Sequence, residues 1–254
     1  MTGEFSPDWL TLREPADAAA RAADLVAELP GPVRVIRDLG CGTGSLGRWL
    51  APQLPAPQHW IMTDRDPALL KLAADGMPAE ATVSTHLRDV TELTAADLDG
   101  TDLVTCSALL DLLTAEEVEN LVAVCAETRV TALFTLSVTG EVKLSPEDPL
   151  DQTVQDAFNE HQRREVDGRR LLGPDAAGFT AAAFERAGAR VLTRPSPWRL
   201  GPALSTLTDQ WLQGWVAAAG DQRPDLALGG YLTRRSAAVP TASVGHQDLL
   251  AIFR

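Results

Sequence analysis

The sequence predicts an α/β fold built on a doubly wound, mostly parallel sheet. Short apolar segments alternate with helix-like segments over residues 33–140, and a glycine-rich turn joins the first apolar segment to a helix. Alternation of strand and helix implies right-handed crossovers and therefore parallel strands. Beyond residue 140 the pattern is less regular, and there we expect helical insertions.

Turn and capping residues set most of the predicted element limits. The first helix is alanine-rich, covers 15–29 and is stopped by Pro30-Gly31-Pro32. Asp66 followed by Pro67 is typical of a helix N-terminus, as are the acidic residues that open the helix at 114–128. The other helices are predicted at 45–54, 151–164, 173–188 and 206–219. The predicted strands are 33–38, 59–63, 82–87, 103–106, 132–138, 190–193 and 247–254.

A glycine turn follows the first predicted strand. Asp38 ends the strand, Gly40-Cys41-Gly42-Thr43-Gly44 forms the turn, and a helix begins directly after it. Glycines permit backbone conformations that other residues rarely adopt, and they let the chain approach a ligand closely. Asp64 ends the second strand about 20 residues further on, the spacing typical of an acid that binds an adenosyl ribose. The pattern predicts a site for a nucleoside cofactor.

The charge of Asp38 favours one class of cofactor. Residues 42–47 match the pattern G-x-G-x-x-G, so a nicotinamide or flavin dinucleotide is an alternative. In dinucleotide sites the helix N-terminus faces a pyrophosphate, which a carboxylate at the strand end would repel in a partly dry cleft. S-adenosylmethionine instead carries a sulfonium and an α-ammonium, and its ribose diol suits the two oxygens of Asp64. We therefore expect a cationic adenosyl cofactor.

Four motifs, each at the end of a predicted strand, resemble those of class I S-adenosylmethionine-dependent methyltransferases. They lie at residues 38–44, 63–66, 88–90 and 102–107, and the resemblance covers roughly residues 9–140. It implies a Rossmann-like, seven-stranded sheet whose last two strands pair antiparallel at one edge. It also implies S-adenosylmethionine as the cofactor and S-adenosylhomocysteine (SAH) as its product.

The same resemblance implies roles for individual residues. Asp38 and the glycine turn would surround the methionine part of the cofactor, Asp64 would hold the ribose hydroxyls, and Asp89 would receive the adenine amino group. An arginine of an N-terminal helix can meet the methionine carboxylate, a role that Arg13 suits better than Arg21; a surface salt bridge is the alternative for Arg13. The predicted cofactor-binding residues are Arg13, Asp38, Gly40, Cys41, Gly42, Gly44, Asp64, Arg65, Asp89, Val90 and Ser107.

Candidates for the acceptor site follow from a rule of open α/β sheets, whose ligands gather beyond the carboxyl ends of the strands. The helix at 151–164 is expected to fold over this edge, and its residues Val154, Phe158 and His161 share one face. His161 is the candidate catalytic residue, as a base or hydrogen-bonding group; a core histidine is the alternative. The other candidate acceptor-binding residues are Asp111, Trp198 and His246, each of which also has a purely structural interpretation.

Composition limits the partners and the compartment. The chain has 35 acidic and 22 basic residues, a net charge of −13 that opposes binding to nucleic acid or to an anionic membrane. Its three cysteines lie far apart without metal-ligand spacing or a disulfide framework, so we expect no metal and a reducing cytoplasm. The N-terminal segment has no signal-peptide pattern and no long apolar run occurs, so we expect a soluble protein. The sequence sets no oligomeric state.

The expected reaction is methyl transfer to an oxygen or nitrogen of a small-molecule acceptor by in-line displacement. Ser107-Ala108-Leu109-Leu110 follows the fourth strand, where nucleobase-amine methyltransferases carry a Pro-Pro-aromatic pattern. The alternatives are a protein or RNA methyltransferase and a catalytically silent accessory protein that binds the cofactor. We interpret the chain as one domain over 1–254, with a helical cover at 1–30, a cofactor-binding core at 33–140 and helical insertions at 141–175 and 201–245 that shape the acceptor site.

Overall fold

The structure is a computed structural model that describes residues 6–238 and 241–253. Its strands are β1 Val35–Leu39, β2 Gln58–Asp64, β3 Ala81–Leu87, β4 Leu103–Ser107, β5 Thr131–Ser145, β6 Glu165–Val166, β7 Arg169–Arg170, β8 Arg190–Pro195, β9 Trp198–Leu200 and β10 Thr241–Ile252. Its helices are α1 Pro7–Ala20, α2 Ser45–Leu50, α3 Pro67–Asp75, α4 Ala115–Thr128, α5 Asp151–Gln162, α6 Ala176–Arg186, α7 Ser205–Gln222 and α8 Leu228–Ala238.

Eight of these strands form one sheet in the order β3-β2-β1-β4-β5-β10-β8, and β9 pairs with β10. The first five strands are parallel, whereas β10 runs antiparallel to β5, β8 and β9. The predicted α/β fold class is confirmed, with the short strand β9 added to the seven predicted strands. Because β1, β2 and β4 are parallel neighbours, the residues that follow them meet at one edge of the sheet.

Helices cover both faces of the sheet. On one face, α4 and α6 pack on the strands around Phe134 and Phe184. On the other, α2 and α3 pack around Trp60 and Met62. A third apolar cluster around Trp215 joins α1, α5, α7 and α8 to the extended ends of β5 and β10. Across the described residues, no helix has both the length and the apolar character needed to cross a bilayer.

The first helix differs from its predicted position at 15–29. Helix α1 begins at Pro7, where the Ser6 hydroxyl accepts a hydrogen bond from the Trp9 N–H (3.2 Å), and it runs through Pro15 to Ala20. A separate 3₁₀ turn follows over Ala23–Glu28. Ser before Pro is itself a helix start signal, which the alanine-rich stretch further on obscured. Residues 1–5 of the predicted helical cover lie outside the described residues.

The insertions predicted at 141–175 and 201–245 are only partly helical. Strand β5 continues to Ser145 and pairs with β10 from Thr241 onward, while β6 and β7 form a separate two-stranded hairpin. The alternation of Val142 and Leu144 with polar residues is the two-residue period of a strand, and it explains why this part of the predicted helical insertion is extended. Residue 254, the predicted end of the last strand, lies outside the described residues.

Candidate functional site

A cleft of about 910 Å³ lies beyond the carboxyl ends of β1, β2 and β4. Helix α1 and the β6–β7 hairpin contribute further walls. Among the described residues, no group of three or more His, Cys, Asp or Glu side chains could hold a metal ion. All predicted cofactor-binding residues except Gly44 line this cleft, namely Arg13, Asp38, Gly40, Cys41, Gly42, Asp64, Arg65, Asp89, Val90 and Ser107.

The glycine turn is held against the end of β2. The Cys41 N–H donates to the Thr63 carbonyl (3.0 Å), and the Gly44 N–H donates to the Cys41 carbonyl (2.8 Å). Gly44 caps α2 with a left-handed φ of +84°, and a Cβ there would come within 3.1 Å of the Ala73 Cα on α3. Gly44 therefore allows close packing of the turn against α3 and does not itself reach the cleft.

Asp64 joins the glycine turn to the end of β2. Its Oδ2 accepts from the Gly42 N–H (2.9 Å), and its Oδ1 accepts from the Asp66 N–H (3.0 Å). Each carboxylate oxygen keeps a further lone pair, so the group can still accept from a ligand diol. Asp66 has a different role, because its carboxylate caps α3 by accepting from the N–H groups of Ala68 and Leu69.

Asp89 is fixed by the residue two positions further on. Its Oδ1 accepts from the backbone N–H (3.0 Å) and the hydroxyl (2.8 Å) of Thr91. Burial acts to raise the pKa of Asp89, but these bonds and the charges of Arg65 and Arg169 lower it overall. The carboxylate is therefore ionised at neutral pH and can accept from an amino group.

Asp38 has a buried carboxylate, and among the described residues only one of its two oxygens has a hydrogen-bond partner. The residue is 1% exposed, and its Oδ1 accepts from the Thr105 hydroxyl (2.7 Å). Its Oδ2 has no hydrogen-bond partner among the described residues. Burial raises the pKa of Asp38 from 3.8 to about 7, against the opposing effects of Thr105 and Arg21. A buried, unpartnered carboxylate oxygen is costly, and a cationic ligand group would satisfy it.

Arg21, which the sequence analysis ranked below Arg13, lies inside the cleft. It is 5% exposed, and its Nη2 donates to the hydroxyls of Ser45 and Ser107, each at 3.2 Å. Its guanidinium lies over the Trp49 ring at 5.6 Å, and its Nε has no partner among the described residues. Burial lowers the pKa of Arg21, yet an arginine side chain stays charged at neutral pH.

Arg13 is already paired. Its guanidinium binds both carboxylate oxygens of Asp17, with Nε 3.0 Å from Oδ2, and it stacks over the Trp198 ring at 4.9 Å. Arg13 thus forms an ion pair, but the pair is largely buried and is not the surface salt bridge considered as the alternative. Arg21 follows directly after α1 and turns into the cleft.

Three of the candidate acceptor residues gather near Arg13 but do not line the cleft. The Trp198 Nε1 donates to Asp17 Oδ1 (2.9 Å), and the Trp198 ring packs on that of His246 with centroids 5.3 Å apart. His246 donates from Nδ1 to the Val244 carbonyl (3.0 Å), and burial, with the Arg13 charge, lowers its pKa to about 3. Asp111 has a buried Oδ1 without a partner among the described residues, and burial raises its pKa.

His161 does not reach the cleft. The face of α5 that carries Val154, Phe158 and His161 packs toward α7, where the Phe158 and Trp215 rings lie 6.5 Å apart. Burial lowers the pKa of His161, Arg164 lowers it further, and Asp221 on α7 opposes them. His161 is half-buried and lies outside the lining of the cleft, which corrects the expectation that this face of the helix covers the acceptor site.

Comparison with known proteins gives a consistent result. Residues 36–129 match the model of a methyltransferase domain, and no curated protein matches the sequence. The fold resembles the YcgJ protein from Bacillus subtilis, with 12% identity, coverage of 91% of this chain and 97% of that one, and a TM-score of 0.53. It also resembles the mycolic acid cyclopropane synthase CmaA1 complexed with SAH and CTAB, with 13% identity, coverage of 97% of this chain and 87% of that one, and a TM-score of 0.51. A magnesium protoporphyrin IX methyltransferase from Synechocystis PCC 6803 with bound SAH has 17% identity, coverage of 77% and 83%, and a TM-score of 0.48.

These findings define residues 36–129 as a methyltransferase domain and the surrounding architecture as the class I fold. The domain match over residues 36–129 agrees with the resemblance found in the four sequence motifs.

Proposed function

We propose that this cleft binds S-adenosylmethionine and that the protein transfers its methyl group to an oxygen or nitrogen of a small-molecule acceptor, leaving SAH. The proposal rests on two buried charged side chains of opposite sign, Asp38 and Arg21, that lie in one cleft. Each has a buried polar atom without a hydrogen-bond partner among the described residues. An α-ammonium would satisfy Asp38, and an α-carboxylate would satisfy Arg21. An amino-acid group carries both charges, whereas the pyrophosphate of a dinucleotide would be repelled by Asp38.

The remaining cofactor contacts follow from the order of the strands. Asp64, after β2, would accept from the ribose hydroxyls with the lone pairs that Gly42 and Asp66 leave free. Asp89, beyond β3, would accept from the adenine amino group through the oxygen that Thr91 does not use. The cleft therefore offers acceptors for the adenosine part and a charge pair for the amino-acid part.

Methyl transfer needs alignment more than it needs a catalytic dyad. Bound S-adenosylmethionine would supply an activated methyl group, with its sulfur as the leaving group and the proton of the acceptor passing to solvent. The residues around the cleft would hold the cofactor in line with the acceptor. Orientation of this kind contributes up to ~7–11 kcal/mol in well-aligned systems.

The size and charge of the site support a small acceptor. The cleft of about 910 Å³ is within the usual range for small-molecule pockets. Walls from α1 and the β6–β7 hairpin limit access to the sheet edge. The net charge of −13 opposes a polyanionic substrate such as RNA.

The proposal is tested by incubating the protein with methyl-labelled S-adenosylmethionine and a metabolite extract freed of protein and nucleic acid. We expect label in a small molecule with the wild-type protein and none with Asp38→Asn. Label that appears only when protein or RNA is added back would replace the small-molecule acceptor with a macromolecular one. Cofactor binding without transfer to any fraction would identify an accessory protein.

A second prediction separates Arg21 from Arg13. We expect Arg21→Gln to weaken SAH binding about tenfold, because charge-assisted hydrogen bonds contribute roughly 1.5–3 kcal/mol. Binding of methylthioadenosine, which lacks the amino-acid part, should be unchanged. Arg13→Gln should change neither affinity appreciably, because that guanidinium is paired with Asp17.

Calorimetric titration of both ligands into both variants measures these effects. Methylthioadenosine serves as the control for folding, since Arg21 is buried and its loss also affects packing. If Arg21→Gln weakens both ligands equally, Arg21 supports the fold of the cleft and does not bind the carboxylate.

A further inference from the structure

The β6–β7 hairpin presents one of its two faces to the cleft. Asp167 and Gly168 form a tight turn with left-handed φ values of +53° and +76°. Val166 pairs with Arg169, and the Leu171 N–H donates to the Arg164 carbonyl (3.3 Å), which extends the ladder by one pair. Because directly paired residues share a face of a hairpin, four side chains lie together on the cleft side. They are Arg164, Val166, Arg169 and Leu171, and all four line the cleft.

The opposite face of the hairpin carries Glu165 and Arg170. These two residues pair directly with each other and take no part in lining the cleft. The hairpin thus offers a natural comparison, with Arg164 on the cleft side and Arg170 on the outer side of the same short element.

The two arginines on the cleft side differ in their partners. Arg169 is neutralised by Glu117, with Nε–Oε1 at 2.8 Å and Nη2–Oε2 at 2.6 Å, and it also donates to the Leu112 carbonyl (3.2 Å). Arg164 donates only to the His161 carbonyl (3.0 Å), and no carboxylate of the described residues forms an ion pair with it. Arg164 is an exposed residue of the cleft lining, so its guanidinium is accessible to a ligand that enters the cleft.

The other arginines of the cleft have carboxylate partners or match the proposed cofactor, and Asp167, at the hairpin turn, also lines the cleft. Asp38 and Arg21 match the amino-acid part of the proposed cofactor, and the Arg65 charge acts on Asp89. Arg164 has no carboxylate partner among the described residues, and it lines the cleft together with an apolar wall. The wall is made of Leu109, Leu112, Leu113, Val166 and Leu171.

We infer that the methyl acceptor carries a carboxylate on an apolar body, and that Arg164 binds this carboxylate while the leucine-rich wall contacts the body. This inference rests on the proposed methyltransferase function of the same cleft. A guanidinium binds a carboxylate through two parallel hydrogen bonds, which sets orientation as well as affinity. Arg164 is thus a specificity-determining residue of the acceptor site.

The test uses protein saturated with SAH and two carboxylic acids as probes, phenylpropanoate and octanoate, each compared with its primary amide. Binding is measured by ligand-observed NMR titration. We expect both acids to bind about tenfold more tightly than their amides, because only the acid makes charge-assisted bonds. Arg164→Gln should reduce acid binding to the level of the amide, and Arg170→Gln should leave the preference unchanged.

Several results would overturn the inference: amides that bind as tightly as acids, no binding of either acid, or an equal loss in the Arg164→Gln and Arg170→Gln proteins. SAH affinity measured on the same samples shows whether each variant keeps an intact cleft. Wild-type protein that does not bind SAH at all would contradict the proposed function itself, so the two failures are distinguishable.

Discussion

Asp38→Asn is expected to weaken SAH binding about 100-fold without destabilising the unliganded protein at pH 8. The loss of affinity follows because an α-ammonium loses the Asp38 carboxylate as its partner, and bonds to charged groups contribute up to about 3 kcal/mol. The free energy of unfolding is not expected to fall in this variant. Burial raises the pKa of Asp38 from 3.8 to about 7, so the folded protein holds this group ionised at pH 8 only at a cost. Asparagine keeps the oxygen that accepts from Thr105 and removes the buried charge.

The measurements are calorimetric titration with SAH and thermal denaturation at pH 8. Asp66→Ala is the matched control, since it removes another carboxylate from the cleft wall, one that caps α3. We expect the control to melt at a lower temperature, because losing an N-cap costs about 1 kcal/mol, and to bind SAH nearly as well as the wild type. An Asp38→Asn protein that binds SAH with wild-type affinity would remove Asp38 from the cofactor site.

SAH affinity should fall as the pH is lowered from about 8 to about 5. The ligand α-ammonium binds the ionised form of Asp38, whose pKa of about 7 in the free protein means that protonation competes with binding below neutrality. Affinity is then highest above pH 7 and declines by about tenfold for each pH unit below it, because the ligand keeps its own charges over this range. Burial is the main cause of the raised pKa, with Asp64 adding to it and Thr105 and Arg21 opposing it.

The decisive measurement is the same titration in buffers of different ionisation enthalpy at about pH 6. The wild-type protein should release nearly one proton for each SAH bound, and Asp38→Asn should release almost none and show a flat pH profile. Equal pH dependence in the two proteins would assign the titration to another group and exclude Asp38 as the acceptor of the ammonium.

The cofactor half of the site could be derived from the sequence because it is encoded locally. Asp38, Asp64 and Asp89 each lie at or just beyond the carboxyl end of a strand, and the parallel strands β1, β2 and β3 are neighbours in the sheet as well as in the chain. Once alternating strands and helices predict a parallel sheet, residues after consecutive strands must meet at one edge. The glycine turn is equally local, since its partners are the strand before it and the strand that follows.

The acceptor half was decided by tertiary structure. An apolar stripe on α5 indicates that one face of this helix is covered, but it does not identify the element that covers it, and in the folded chain that element is α7. Arg21 donates hydrogen bonds to Ser45 and Ser107, which lie far from it in the sequence. Arg13 forms an ion pair with Asp17 and stacks on Trp198. The side of the hairpin that meets the cleft likewise depends on how β6 and β7 dock against the loop after β4. The partners of these residues depend on which surfaces of the folded chain come together. The hydrophobic effect is non-directional, so an apolar pattern in the sequence specifies that a face is covered but not which element covers it.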